Sequence, residues 1–253
     1  MDLGLKGLKA VVTGGTKGIG RAICETLAAE GAHIAFCARN AEEVKRAAAE
    51  MARHGTKIEG SVVDIGRGLD LKAWVQTASN ALGGIDIVVA NVSALAIGAD
   101  EAAWHSSFEV DMMGTVRLVD AAMPSLEASK HPAIVTISSV SGREIDFAAG
   151  PYGAMKAAII HYTQGLAFQL AGKGIRANTV SPGNTYFAGG VWEQIEHGNP
   201  ALFAEAMRLN PTGRMGTPRE MANAAAFLAS PAASFITGTN LVVDGALTRG
   251  VQF

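Results

Sequence analysis

The sequence predicts an α/β protein built on one doubly wound, parallel β-sheet of about seven strands, with helices on both faces. Three observations predict it. Short apolar runs alternate with longer helix-like runs along the whole chain, the pattern of right-handed strand–helix–strand crossovers. The amino-terminal unit reads as strand, glycine-rich turn and helix. The chain has 253 residues, 49% hydrophobic and 17% charged, which suits one domain over residues 1–253 with a sizeable core. No repeat or low-complexity linker divides it.

The elements follow in order. Leu8-Lys9-Ala10-Val11-Val12-Thr13 is a short buried strand, and Gly14 to Gly20 forms the turn. A helix follows with Ile23 and Leu27 on one face. Apolar runs predict strands at about 8–13, 33–37, 58–63, 85–90, 132–137, 175–180 and 239–243. The intervening runs predict helices at about 18–30, 41–53, 69–82, 101–128, 151–172, 188–208 and 218–229. Strands covered on both faces belong to a parallel sheet. Its chemistry is expected in the loops at the strands' carboxyl ends.

The turn Gly14-Gly15-Thr16-Lys17-Gly18-Ile19-Gly20 has the context a phosphate-binding loop requires. Glycines admit a pyrophosphate close to the backbone, and a helix N-terminus offers free N–H groups and a positive dipole end. The spacing is Gly14-x-x-x-Gly18-x-Gly20 rather than the general G-x-G-x-x-G.

A second motif lies in Tyr152-Gly153-Ala154-Met155-Lys156. Residues i and i+4 share a helix face, so a phenol sits beside an ammonium. The cation favours phenolate and is expected to draw the tyrosine pKa down from about 10. Such a phenol gives or takes a proton at a carbonyl or alcohol oxygen. Ser139, with Ser138 before it, is placed to hydrogen-bond that same oxygen.

Taken together, Thr13-Gly14-x-x-x-Gly18-x-Gly20, Ser139, Tyr152 and Lys156 resemble the short-chain dehydrogenase/reductase family, over essentially the whole chain. The resemblance implies a Rossmann-like fold and an NAD(P)-dependent oxidoreductase acting on CH–OH/C=O. It implies that Tyr152 transfers the proton, that Ser139 holds the substrate oxygen, and that Lys156 tunes the tyrosine and bonds the nicotinamide ribose. The family's fourth member is an asparagine in the fourth helix. Here Asp111 replaces it, in Val110-Asp111-Met112-Met113-Gly114. In the family that residue acts through its main-chain carbonyl, which a side-chain change leaves in place. Asp111 is therefore expected to modify the proton relay without abolishing it.

The resemblance also implies a cofactor site made by Gly14, Thr16, Lys17, Gly18, Ile19, Gly20, Arg39, Asp64, Ile65, Asn91, Tyr152, Lys156, Pro182, Gly183 and Thr185. An acid at the end of the second strand would bind a ribose 2′-OH. Ala38 stands there instead, followed by Arg39, and Lys17 adds a second cation. Both favour a 2′-phosphate, so NADP(H) is expected over NAD(H), with NAD(H) possible. Asp64 is expected at the adenine edge. After the fourth strand the family's Asn-Asn-Ala-Gly is replaced by Ala90-Asn91-Val92-Ser93-Ala94, and Phe187 stands where a threonine is usual. Thr185 is the candidate substitute.

Residues 184–212 form the expected lid, with Tyr186, Phe187, Val191, Trp192, Ile195, Phe203, Met207 and Leu209, hinged at Gly189-Gly190, and these large apolar groups are expected both to pack as core and to close over the substrate. Leu95, Ile97, Ile145 and Phe147 are expected to complete an apolar pocket. The substrate expected is a hydrophobic ketone or secondary alcohol, cyclic, steroid-like or acyl-chain. A 3-oxoacyl-thioester reductase and a dehydrogenase of xenobiotic or terpenoid alcohols are narrower alternatives. A cofactor-binding sensor or scaffold without turnover is the alternative of another class.

Composition excludes much else. The net charge of −2 gives no reason to expect nucleic acid or an anionic membrane as partner. Cys24 and Cys37 are too few for a disulfide framework and fit a reducing cytoplasm. Met1–Leu8 lacks the apolar core of a signal peptide, and no run of 18 apolar residues predicts a membrane span. The six histidines show no metal-ligand spacing. The family resemblance implies a homotetramer, with a dimer as the alternative. It would be joined through helices 101–128 and 151–172, with Ala157, Ala158 and Ala167 allowing close approach, and through the carboxyl-terminal strand and its tail to Phe253.

Overall fold

The computed structural model describes residues 2–251. Met1, and the end of the expected carboxyl-terminal contact at Gln252 and Phe253, lie outside the described residues. The element order is β1 (Lys9–Thr13), α1 (Gly18–Ala29), β2 (His33–Ala38), α2 (Ala41–Met51), β3 (Ile58–Val62), α3 (Gly68–Leu82), β4 (Ile87–Ala90) and α4 (Glu101–Ser107). It continues with α5 (Gly114–Ala128), β5 (Ala133–Ile137), α6 (Pro151–Leu170), β6 (Arg176–Pro182), α7 (Val191–Gly198), α8 (Pro200–Leu209), α9 (Pro218–Ala229) and β7 (Asn240–Val243).

The seven strands form one sheet in the order β3-β2-β1-β4-β5-β6-β7, and every pairing is parallel. This is the doubly wound order, reversing direction between β1 and β4. Alternate side chains serve opposite faces. Val12, Phe36, Val89 and Val135 face a cluster with Ile23 and Leu27 of α1 and Ala222, Ala225 and Ala226 of α9. Their neighbours Val11, Ala35, Val88 and Ile134 face Leu71 and Trp74 of α3, Leu118 and Ala122 of α5, and Leu166 and Leu170 of α6. Both faces are thus covered, and the carboxyl ends of β1, β4 and β5 open together at the switch point.

Two expected helices are divided. Residues 101–128 run as α4, a π-helical turn over Phe108–Met113, and α5. The wide turn carries Asp111, consistent with the tendency of such turns to mark functional sites. Residues 188–208 split into α7 and α8 at Asn199. A residue before proline is driven out of the helical region, and here the Asn199 side chain accepts a hydrogen bond from the Leu202 N–H to start α8. Ala167 is buried against the sheet, so of the three alanines proposed for helix pairing it belongs to the core, while Ala157 is exposed.

α1 is tied to the end of α2 by a buried carboxylate. Glu25 lies 2.6 Å from Arg21, 2.7 Å from Arg53 and 2.6 Å from His54. Burial works to raise its pKa, but the hydrogen bonds from His54 and Arg21 outweigh that and hold the carboxyl below its usual range. A group whose folded pKa is depressed adds stability above its unfolded value and loses it as pH falls through the folded value. Glu25→Gln is expected to cost about 1–2 kcal/mol at pH 7. The gap between parent and variant should close as pH drops below about 4, measured by chemical denaturation across pH. A gap independent of pH would show that packing, not charge, makes the contribution.

Candidate active site

The site is one elongated cavity of about 580 Å³ along the carboxyl ends of the strands. At its first end the β1–α1 turn supplies Gly14, Thr16, Lys17, Gly18, Ile19 and Gly20. Gly14 and Gly18 have φ of +74° and +56°, a region that disfavours any side chain. A Cβ on Gly20 would lie 2.2 Å from the Gly14 carbonyl oxygen, so glycine also lets helix and turn meet. α1 starts at Lys17 with no side-chain cap and no acid in its first turn. Its leading N–H groups are therefore available to an anion. The residues fit the pyrophosphate of a dinucleotide.

The same end holds Ala38, Arg39, Asp64 and Ile65. Arg39 and Lys17 are exposed, with no acidic partner among the described residues. Asp64 accepts a hydrogen bond from the Gly66 N–H at 3.0 Å. Sequence reasoning missed Glu43, which lines the cavity and accepts from the Thr16 hydroxyl at 3.1 Å. A glutamate in the first turn of α2 is an ordinary helix-start residue, so no local signal sets it apart.

In the middle, Asn91 donates its side-chain N–H to the Thr13 carbonyl at 3.0 Å, and its own backbone N–H to Thr13 Oγ1 at 3.0 Å. Asn91 thus fastens β4 to β1 while lining the cavity. Pro182, Gly183 and Thr185 line the opposite side. The Thr185 hydroxyl is engaged by the Gly183 carbonyl at 3.0 Å. Phe187 folds over the turn, and a Cβ on Gly18 would lie 2.5 Å from its ring.

At the far end, Ser139, Tyr152 and Lys156 line the cavity together. Pro151 opens α6, its missing N–H harmless at a first helical position. This puts Tyr152 and Lys156 on successive turns, with Lys156 Nζ 5.5 Å from the Tyr152 ring centroid. Ser139 lies two residues past the end of β5 and caps a short turn over Val140–Gly142. Two glycines press that turn onto α6. A Cβ on Gly142 would lie 2.7 Å from the Ala157 nitrogen, and one on Gly153 would lie 2.9 Å from the Ser141 and Ala148 carbonyl oxygens. Nothing in their spacing announced this role.

Lys156 is buried, donates to the Ile137 carbonyl at 3.1 Å, and has Asp111 Oδ1 at 3.5 Å. Asp111 is fully buried and does not itself line the cavity. Its Oδ2 accepts from the Ala94 N–H at 2.9 Å, its main-chain carbonyl accepts from the Thr115 hydroxyl at 2.7 Å, and Oδ1 has no hydrogen-bond partner. Asp111 thus sits behind Lys156 and reaches the cavity only through it.

The substrate end is walled by Leu95, Ile97, Phe147, Val191 and Trp192, with Phe147 and Trp192 edge to face at 5.4 Å. One expectation is corrected. Ile145 is 89% exposed and turns to solvent. Of the lid's apolar residues, Tyr186, Ile195, Phe203 and Met207 pack with Ala206, Met215 and the far side of Trp192 in a cluster of their own. They build the lid; Phe187, Val191 and Trp192 face the cavity. Among the described residues no cluster has the makings of a metal site, and no helix is long and apolar enough to cross a membrane.

A glycine cradle at a switch point, with serine, tyrosine and lysine converging 13 and 4 residues apart in the sequence, defines a nicotinamide-dependent oxidoreductase acting on CH–OH/C=O. The chain belongs to the short-chain dehydrogenase/reductase family. A family model described as enoyl-(acyl carrier protein) reductase matches residues 14–248. The chain is 40% identical over 258 residues to isoepoxydon dehydrogenase of Penicillium expansum, covering 100% of this chain and 99% of that one. L-Sorbose reductase from Gluconobacter frateurii, solved with NADPH and L-sorbose, superposes with a TM-score of 0.89 at 28% identity, covering 99% of this chain and 100% of that one. A xylitol dehydrogenase bound to NAD+ superposes with a TM-score of 0.89 at 26% identity, covering 96% and 99%.

Proposed function

We propose that the chain, acting as one catalytic domain, is an NADP(H)-preferring oxidoreductase that interconverts a ketone and a secondary alcohol through Ser139, Tyr152 and Lys156. The observation that carries this reading is the single cavity that joins those three side chains to the glycine turn and to Arg39. A bound nicotinamide supplies or takes the hydride. Gly14, Gly18 and Gly20 admit its pyrophosphate, and Arg39 with Lys17 faces the adenosine end. Tyr152 gives its phenolic proton to the substrate oxygen in reduction and takes one back in oxidation. Lys156, within the same wall, offsets the negative charge left on the phenol oxygen. Ser139 hydrogen-bonds the substrate oxygen and orients it. The apolar wall from Leu95 to Trp192 holds the carbon skeleton and keeps water from the reacting carbon.

The test is turnover of a ketone panel, cyclic ketones and an acetoacetyl thioester included, with NADPH and with NADH. Bound NADPH that no carbonyl oxidises would instead support a sensor or scaffold. The cofactor preference has its own test. Arg39→Asp is expected to lower the ratio of kcat/KM for NADPH over NADH by roughly 10- to 100-fold, since a charge-assisted pair to a phosphate contributes about 1.5–3 kcal/mol. Glu43→Gln should raise the ratio, because it removes a carboxylate that lines the cavity at that end. A ratio unmoved by Arg39→Asp would refute a 2′-phosphate contact there.

Assembly as a homotetramer in the cytoplasm belongs to the same reading. The assembly has support in Phe168 and Phe235, large apolar rings 89% and 102% exposed that an interface would bury. Light scattering at low micromolar concentration tests it, and a monomer would sink it.

A further inference from the structure

We propose that the substrate carries a hydroxyl group close to its reacting carbon, and that Asp146 and Ser141 recognise it. This rests on the carbonyl/alcohol reading of the site and names the substrate class within it. The starting point is a hydrogen-bonded row that leads away from Ser139. Ser139 Oγ lies 3.2 Å from Ser141 Oγ, and Ser141 Oγ lies 2.6 Å from Asp146 Oδ2. The Ser141 backbone N–H donates to Ser139 Oγ at 3.2 Å, and the Ala148 N–H donates to Asp146 Oδ1 at 2.8 Å. Ser139, Ser141 and Asp146 all line the cavity.

Proton direction along this row is fixed by chemistry. A carboxylate only accepts, so Ser141 gives its hydroxyl proton to Asp146. Ser141 Oγ is then left as an acceptor: Ser139 gives it its proton in the free site and turns that same proton to the substrate oxygen when a ketone binds, which leaves Ser141 Oγ open to another donor. The row therefore meets the cavity with lone pairs, on both Asp146 oxygens and on Ser141 Oγ. Among the described residues no cation forms a salt bridge with Asp146.

A plain ketone has no proton to offer these acceptors. Covering them with hydrocarbon would desolvate a carboxylate whose partners are one hydroxyl and one backbone N–H, with no cation beside it, which is costly. A hydroxyl on a carbon near the reacting one would satisfy them while Ser139 and Tyr152 hold the reacting oxygen. The facing wall of Phe147, Val191 and Trp192 is apolar and suits the rest of the skeleton. The cavity thus fits a compact hydroxyketone, or the corresponding diol, better than the purely hydrophobic ketone expected from the lid.

The experiment compares kcat/KM for 2-hydroxycyclohexanone and cyclohexanone in the parent, in Asp146→Asn and in Ser141→Ala, with NADPH affinity measured in each by fluorescence. The parent is expected to prefer the hydroxyketone. Asp146→Asn, which is isosteric but turns an acceptor into a donor, should lower that preference by roughly 10- to 100-fold. Ser141→Ala should lower it in the same direction. A parent that turns over both ketones equally, or a preference that stays within about twofold in both variants, overturns the proposal and leaves the oxidoreductase reading standing. A parent that binds NADPH and reduces neither ketone, nor any other in the panel, overturns that reading and this proposal with it.

Discussion

Tyr152→Phe is expected to lower kcat by about 10²–10⁴-fold, the usual contribution of a positioned proton donor, while cofactor affinity and thermal stability stay close to the parent. The separation follows from the environment of the ring. Tyr152 is half-buried in the cavity wall, and its hydroxyl makes no hydrogen bond to protein among the described residues. Removing the oxygen therefore orphans no buried partner. The ring itself remains beside Lys156 Nζ, as it is now at 5.5 Å from the centroid. Steady-state kinetics with the best ketone of the panel, beside NADPH titration and a melting curve, checks all three quantities. A variant that turned over as fast as the parent would end the proton-transfer role assigned to Tyr152.

Lys156→Met is expected to remove activity and to destabilise the fold by about 3–5 kcal/mol, the typical consequence of breaking a buried charge pair from one side. Asp111 is 0% exposed, and its Oδ1 lies 3.5 Å from Lys156 Nζ, with no hydrogen bond among the described residues. Without the ammonium, a carboxylate remains in the interior with one oxygen unserved. The double variant Lys156→Met/Asp111→Asn removes both charges and leaves an amide oxygen to accept from Ala94. It should recover much of the lost stability and none of the activity. Denaturant unfolding of both variants reads the difference. A single variant as stable as the parent would show that Asp111 does not depend on the ammonium.

Much of the fold was legible in the sequence, because the signals are local. Buried parallel strands need short apolar runs, and the crossovers need helices between them. Most predicted boundaries therefore fall within a few residues of the observed ones, from Lys9–Thr13 to Asn240–Val243. The failures are also local in origin. The π-helical turn at Phe108–Met113 adds backbone width with no compositional mark, whereas the break at Gly198-Asn199-Pro200 carries its own mark, the residue before proline, which the apolar pattern on either side outweighs in the reading of one long helix.

By itself the sequence determined the family and the glycine turn, and it singled out Ser139, Tyr152 and Lys156 as candidates, since turn chemistry and i,i+4 spacing are written along the chain. Only the tertiary structure decided what surrounds them. It put Asp111 behind Lys156, Glu43 beside Thr16, and Asp146 at the end of a row from Ser139. It also turned Ile145 outward and gave most of the lid's apolar residues to the lid's own packing. The physical reason is range. Backbone preference and helical periodicity act over a few residues, whereas burial and hydrogen-bond partnership depend on which distant segments the closed sheet brings together.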